Sequence, residues 1–578
     1  MTFARTRLSF VVTVIAVSLA ACSPRSDTDA ADAARDAFDT NDAMATDAND
    51  LVDVANDLAI DTGPEANPCG ASDGAVAMYD VWSRPIPDGA SLHVDGGIGP
   101  ALDGPGGPNV AFDATALGTT CAYLHGGPTD RNHHNTVTML DGYLIMPWAH
   151  EASPGGVTVW SFDDPCHPIE IGSSAEPEMR ETHVTGFSFI NGRWMVTASM
   201  HGIMFWDIRD LSHPTMVRDF TLPNVTYYAP DGGSDSYSRV VLSTFWQAPY
   251  VYVGGSINGV FIVDAADPAN PRLVAQVSSP AMGRVGMVQA VGNLLYVMPS
   301  ELATTAIMDI SDPANPRPIP GGQFELNAGI PDAAPFPPRW AYSATVNGGR
   351  AFYARHTFGG SLITHDVSDP SHHRFQSEWT PSGQSNGGYV SVQNNTAFVG
   401  FSDSDSDPIG RGVALDMTDP AHPNLITEFH LHGDLDFVTP IGNVAVLSVD
   451  DGAIDGQASA VVPFRANPDR VAPRVNMVSP SNAAMDQAIT SRVGIQFDES
   501  VDAQTVTGET FIVREMGSTV PLAGYYSAQE WTVNFWPAQP LRGGTTYEVI
   551  VPASGIRDYS GNGSAETYRS TFTTAPCP

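Results

Sequence analysis

The chain of 578 residues contains no lysine, so every one of its basic residues is an arginine. That absence excludes lysine Schiff-base chemistry. Basic residues of any kind are scarce: 27 against 64 aspartates and glutamates leave a formal charge of −37. A surface so acidic has nothing to offer a phosphate backbone, which excludes nucleic acid as a partner. Cysteine is nearly absent as well, with five in all and no Cys-x-x-Cys pair, so a thiolate zinc site is not expected. No Gly-x-Ser-x-Gly set between a strand and a helix, as a nucleophile elbow needs, and no glycine-rich phosphate loop in that setting occurs. Beyond the N-terminus no apolar run is long enough to span a bilayer. What the chain does have is 54 glycines, 46 prolines and 42% hydrophobic residues, the composition of a β-rich globular protein.

Residues 1–21 read as a signal peptide, with two arginines followed by an apolar run too short and wrongly flanked for a lasting span. The run ends in Leu19-Ala20-Ala21-Cys22, which resembles the lipobox of bacterial lipoproteins. The resemblance implies cleavage before Cys22 and lipidation of that cysteine, and Ser23 in the next position implies the outer membrane. Residues 22–68 form an acidic tether: from Ser23 onward twelve carboxylates meet two arginines, and like charges with little apolar surface keep such a segment extended. Outside the cytoplasm, Cys69, Cys121, Cys166 and Cys577 suggest two disulfides, with all three pairings open.

Internal repetition sets the fold. IMDISDPANPRPI from Ile307 recurs as VDAADPANPRLV, LDMTDPAHPNLI and HDVSDPSHHRF. Aligned copies place Asp207, Asp264, Asp309, Asp366 and Asp416 in one slot and Asp210, Asp267, Asp312, Asp369 and Asp419 three residues later. Pro214, Pro271, Pro316 and Pro423 follow, with His373 as the exception. A first copy, WSFDDPCHP, and a degraded last one, VVPFRANPD, complete seven units. Two alternating apolar runs around a small polar turn precede each motif, and a third follows it. Each unit therefore reads as four short antiparallel strands, A to D. A unit with two apolar faces and no partner of its own is buried by radial stacking, which predicts an all-β, seven-bladed β-propeller. The Asp-Pro motif is then a turn between strands C and D. Phrases such as GVFIVDAADPANPRLV resemble the LVIVD repeat of bacterial secreted and surface proteins, which implies the same propeller fold.

The propeller is expected over 69–472, with 69–128 as a lead-in from which AVAMYDVWS or NVAFDA completes the seventh blade. Residues 473–578 read as a separate antiparallel sandwich. VSPSNAA, IQFDESVD, PLRGGTTYEVIV and GIRDYSGN resemble the bacterial Ig-like domain of the SbsA type, a spacer or adhesive module. Asp558 and Asn562 in the last phrase read as turn residues.

With the Asp-Pro turns and A–B turns on one face, ligands are expected at the other, the mouth, built from strand A starts and strand B ends. Counting from the A–B turns places His133, His134, His150, Glu151, His183 and His201 around blades 1 and 2, a set suited to a transition metal. Arg239, Arg284, Arg339 and Asp434 fall on the same face as ligand-binding candidates. Asp403, Asp405 and Asp407 resemble the start of a Ca²⁺ loop. The expected function is a lipid-anchored cell-envelope binding or scaffold protein, facing the periplasm or the surface, that engages an envelope protein, a glycan or a small ligand. The alternative is a propeller enzyme, a metal-dependent oxidoreductase or hydrolase using the histidines of blades 1 and 2.

Overall fold

The computed structural model describes residues 107–576, apart from 127–132, 135, 150–153, 180–184, 189–192, 227–238, 278–282, 331–338, 357–359, 383–385, 403–408 and 450–451. The signal peptide, Cys22, the tether, Cys69 and Cys577 lie outside the described residues, as do His150, Glu151, His183, Asp403, Asp405 and Asp407.

Seven four-stranded units follow one another along the described chain and form a β-propeller. Blade 4 is representative: Val285–Val291, Leu294–Pro299, Thr304–Asp309 and Arg317–Glu325 pair consecutively and antiparallel as strands A to D. The inner strands, such as VGMVQAV and LLYVMP, are buried almost throughout, whereas RPIPGGQFE is mostly exposed. This is what radial stacking requires, because inner strands meet neighbours on both faces and the outer one meets water. Between blades 4 and 5, Tyr296, Ile307, Val346, Tyr353 and Ile363 share one apolar cluster. In blade 1 strand A is split into His133–His134 and Thr138–Leu140, both paired with Tyr143–Ala149.

The seventh blade is closed from the N-terminal side. Leu435–Ile441, Val444–Val449 and Ser459–Pro463 are its first three strands, and Ala122–Leu124 pairs with the third as its fourth. The expected source, the lead-in, is right, but neither expected phrase supplies the strand. NVAFDA lies beside the end of the propeller, where the Phe112 N–H donates to the Ala466 carbonyl at 2.8 Å; AVAMYDVWS lies outside the described residues. A disulfide between Cys121 and Cys166 ties the closing strand to the C–D turn of blade 1.

The recurring motif is a double side-chain turn. The first aspartate accepts from the backbone two residues on, as Asp309 does from Ser311 at 2.8 Å and Asp416 from Thr418 at 2.9 Å. The second does the same, as Asp312 does with Ala314 at 3.0 Å, and its other oxygen meets an Asn or His three residues on: Asn315, or His422 beside Asp419. The residue after strand C then donates to a carbonyl of the A–B turn in all seven blades, from Phe162 with Gly142 to Phe464 with Asn443. The motif thus welds the two turns of one face together, as its structural reading requires. His373, which replaces the usual proline, stacks on Phe324 at 4.1 Å.

The C-terminal segment is a two-sheet sandwich that is not set apart from the propeller. One sheet contains Ala484–Gln487, Tyr568–Thr574, Thr546–Val551 and Ile512–Glu515. The other contains Gly524–Gln529, Thr532–Pro537, Val493–Phe497 and Val475–Ser479, and it continues directly into blade 2 through Ala528 opposite Phe187 and Ser527 opposite Ser188. An innermost strand A has a free edge of backbone donors and acceptors, and the sandwich supplies the missing partner.

Candidate functional site

The two ends of the propeller differ sharply. At the end bearing the A–B turns, the hairpin Gly524–Pro537 inserts its tip among the A strands. Trp531 is fully buried there, and its indole N–H donates to the Val346 carbonyl at 2.9 Å. Asn534 accepts from the Gly292 N–H and donates to the Ala290 carbonyl, each at 2.9 Å. Gln496 accepts from the Gly348 N–H and donates to the Val346 carbonyl. Arg492, also fully buried, donates to Gln247 and to the Ile310 carbonyl. Side-chain amides here satisfy backbone groups that a further strand would otherwise pair. This end is closed by the protein itself.

At the other end, polar side chains form an arc over blades 4 to 7. Arg284 is ion-paired with Glu301. Arg339 meets Glu378 through Nε at 3.0 Å and Nη2 at 2.9 Å, while Arg355 reaches the other Glu378 oxygen at 3.3 Å. His356 stacks on Tyr342 at 5.6 Å, and the Tyr342 hydroxyl donates to Asp436 Oδ2 at 3.1 Å, reaching past blade 6 to blade 7. Gly388 permits that approach: a Cβ there would lie 2.5 Å from the Asp436 carbonyl oxygen. Tyr389 stacks flat on Phe437 at 4.1 Å beside them. Burial lowers the pKa of His356, opposed by Glu301 and reinforced by Arg284. The imidazole is therefore held neutral, able both to donate and to accept.

The predicted residues divide accordingly. Arg284 and Arg339 lie in this arc, each facing a carboxylate of the chain, with the partly buried Asp434 two positions before Asp436. Arg239 is exposed at the start of blade 3. His133 and His134 sit at the mouth end of blade 1, opposite Ala149 and Trp148. His201 is half-exposed and pairs with Glu178 at 3.2 Å, near Ser199 and Asp219, themselves joined at 2.8 Å. Burial raises the Asp219 carboxyl.

A further polar cluster lies at the junction of propeller and sandwich. Carboxylate oxygens of Asp469, Glu499 and Asp558 all lie within 4.8 Å of one another, and all three residues are buried. They line a small cavity together with Gln393, Gly442 and Tyr559. Burial, with Asp558 and Asp469 adding to it, pushes Glu499 up to about 10; burial pushes Asp558 up to about 7.

Residues 249–279 and 282–318 match the LVIVD repeat, and residues 469–574 match a bacterial Ig-like domain. The chain carries LVIVD repeats in its propeller and a bacterial Ig-like domain at its C-terminal end. No curated protein matches it in sequence. Among solved structures, a periplasmic gluconolactonase of Pseudomonas aeruginosa overlaps 63% of this chain and 98% of its own, at 13% identity and a TM-score of 0.44. BamB from Moraxella catarrhalis overlaps 72% of this chain and 99% of its own, at 12% identity and a TM-score of 0.37. These overlaps are loose, and nothing about activity follows from them.

Sequence reasoning missed the three carboxylates, which come from the linker, from IQFDES and from GIRDYSGN. Asp558 does cap its own turn, accepting from the Ser560 and Asn562 N–H groups at 2.8 Å, as expected of it. The available signal was Asp498-Glu499 ending an apolar strand with no basic residue beside it. The docking of the Ig-like domain left no signal in periodicity, because it is made by edge pairing with blade 2 and by side-chain amides that meet backbone groups.

Proposed function

We propose that this protein is a lipid-anchored envelope component that binds its ligand at the open mouth of the LVIVD propeller, with the Ig-like domain serving as the closure of the other end. The observation that carries this reading is the asymmetry of the two ends: one is filled by Trp531 and Asn534, while the other bears the arc from Arg284 to Asp436. Carboxylates of the chain face Arg284, Arg339 and Arg355, so the arc favours a polar ligand with little net charge, met by hydrogen bonds and by stacked rings. A glycan or a polar loop of an envelope protein has that chemistry. The lipobox at Cys22 and the acidic tether support display from the outer membrane, and the Cys121–Cys166 disulfide fits an oxidising compartment.

Full-chain protein is presented to solubilised envelope material and to a glycan array, beside a Tyr342→Ala/His356→Ala variant and an Asp312→Ala variant at the opposite face. Capture that is lost in the first variant and kept in the second supports the reading. Capture unaffected by the mouth substitutions, or no capture by the wild type, overturns it. Cys22→Ala should move the protein from the membrane fraction to the soluble one; retention in the membrane removes the lipid anchor from the proposal.

A further inference from the structure

The Asp469–Glu499–Asp558 cluster sits where the chain leaves blade 7 and enters the Ig-like domain. Its members come from three elements: Asp469 from the linker, Glu499 from the segment after strand Val493–Phe497, and Asp558 from the turn before the last strand. Propeller turns close over them. Gln393, the last residue of strand A in blade 6, donates through Nε2 to Asp469 Oδ2 at 2.9 Å and to the Gly442 carbonyl at 3.1 Å. Those two bonds fix the orientation of its amide. Gln393 Oε1 is then left without a hydrogen-bond partner in a side chain only 4% exposed, and it belongs to a residue lining the cavity. Glu499 Oε1, in a residue 2% exposed, is likewise without one.

An unpaired buried acceptor costs free energy that nothing in the immediate shell returns. Two of them, in a cavity that also collects three carboxylates, call for a cation. The donors are all oxygen, the preference of hard divalent ions. The spacing suits a single ion. Ligand atoms bound to one ion at about 2.4 Å lie at most about 4.8 Å apart, which is the Ca²⁺–oxygen range, and the three carboxylates meet that limit. Mg²⁺ prefers about 2.1 Å and retains its waters, which a buried cluster contributed by three separate elements suits poorly. Arg465, the nearby cation, has its guanidinium over the Phe464 ring at 4.9 Å.

We infer that Asp469, Glu499, Asp558 and Gln393 Oε1 form a Ca²⁺ site that fastens the Ig-like domain to blades 6 and 7. The ion joins the linker, the Ig-like domain and the end of a propeller strand, so it acts as a clamp at the junction. It goes beyond the proposed binding role of the mouth and does not depend on it.

The test uses the full chain, stripped with EDTA and returned to chelator-free buffer. Calcium should raise the melting temperature by several degrees, and magnesium at the same concentration by less than half as much. Terbium should bind in place of calcium and show emission sensitised through the ring of Tyr559, which lines the cavity. Glu499→Gln should lose the calcium shift and at least tenfold in terbium affinity while keeping the wild-type β circular dichroism. Asp558→Asn, which preserves the turn, should do the same. The acidic tether is controlled for by these variants, since it is intact in both. Equal melting in EDTA and in millimolar calcium for the wild type, or a full calcium response in Glu499→Gln, would overturn the site. A magnesium shift equal to that of calcium would overturn the assignment to Ca²⁺.

Discussion

The indole of Trp531 donates to the Val346 carbonyl at 2.9 Å from a position with no solvent exposure. A residue at the tip of the Ig-like domain is thereby part of the propeller core, packed with Phe352, Val390 and Val392 of blades 5 and 6. Trp531→Ala should cost about 3–5 kcal/mol, the usual range for removing a buried tryptophan, and should destabilise the propeller as well as the Ig-like domain. Denaturant unfolding followed by probes in each part checks this; loss confined to the Ig-like domain would contradict it.

The Asp-Pro motif should matter for stability and not for binding. Asp312→Ala removes the acceptor of the Ala314 and Asn315 bonds and should cost about 1 kcal/mol. Asp312→Asn keeps an acceptor in place and should recover most of it. Urea midpoints of the two variants provide the comparison, and ligand capture should be unchanged in both.

Closure of the ring rests on a strand of three residues, Ala122–Leu124, held by the Cys121–Cys166 bond. Across a separation of 45 residues, chain entropy puts the worth of that bond at about 4 kcal/mol. Adding dithiothreitol should lower the urea midpoint of the wild type by more than that of a Cys121→Ser/Cys166→Ser variant. Hydrogen exchange should rise first in blades 7 and 1.

Two acids, the partly buried Glu530 and the buried Asp502, give the stability a direction in pH. Burial pushes Glu530, at the hairpin tip, up to about 8, and pushes Asp502 up to about 7 against the backbone bonds from Gln504 and Asp141. A carboxyl whose pKa is raised on folding holds its proton more tightly in the folded state. Stability therefore falls as pH rises from the ordinary carboxylate range, near 4, through 7 and 8. Glu530→Gln should be more stable than the wild type at pH 8, with the difference vanishing towards pH 4. An equal gap at both pH values would contradict the assignment.

Much of the propeller is legible in the sequence because its signals are local. Alternation marks the strands, and aspartates at a fixed spacing mark the turns that Asp309 and Asp312 make. Orienting the blades by those turns also located Arg284 and Arg339 in the arc over blades 4 and 5. The closing strand escaped because three residues are too few to show a period. The docked Ig-like hairpin escaped because a strand pattern records which face is apolar, not whose edge it pairs with. The carboxylate cluster escaped because Asp469, Glu499 and Asp558 are brought together only by the docking.

The Ig-like hairpin closes one end of the propeller and leaves the proposed binding mouth at the other. Hydrogen exchange of the full chain, resolved to peptides, tests this most directly. Amides of Gly524–Pro537 should exchange in the same slowest class as strand A of blade 4, Val285–Val291, and strand A of blade 5, Trp340–Asn347. Exchange of the hairpin orders of magnitude faster than those strands would contradict the account.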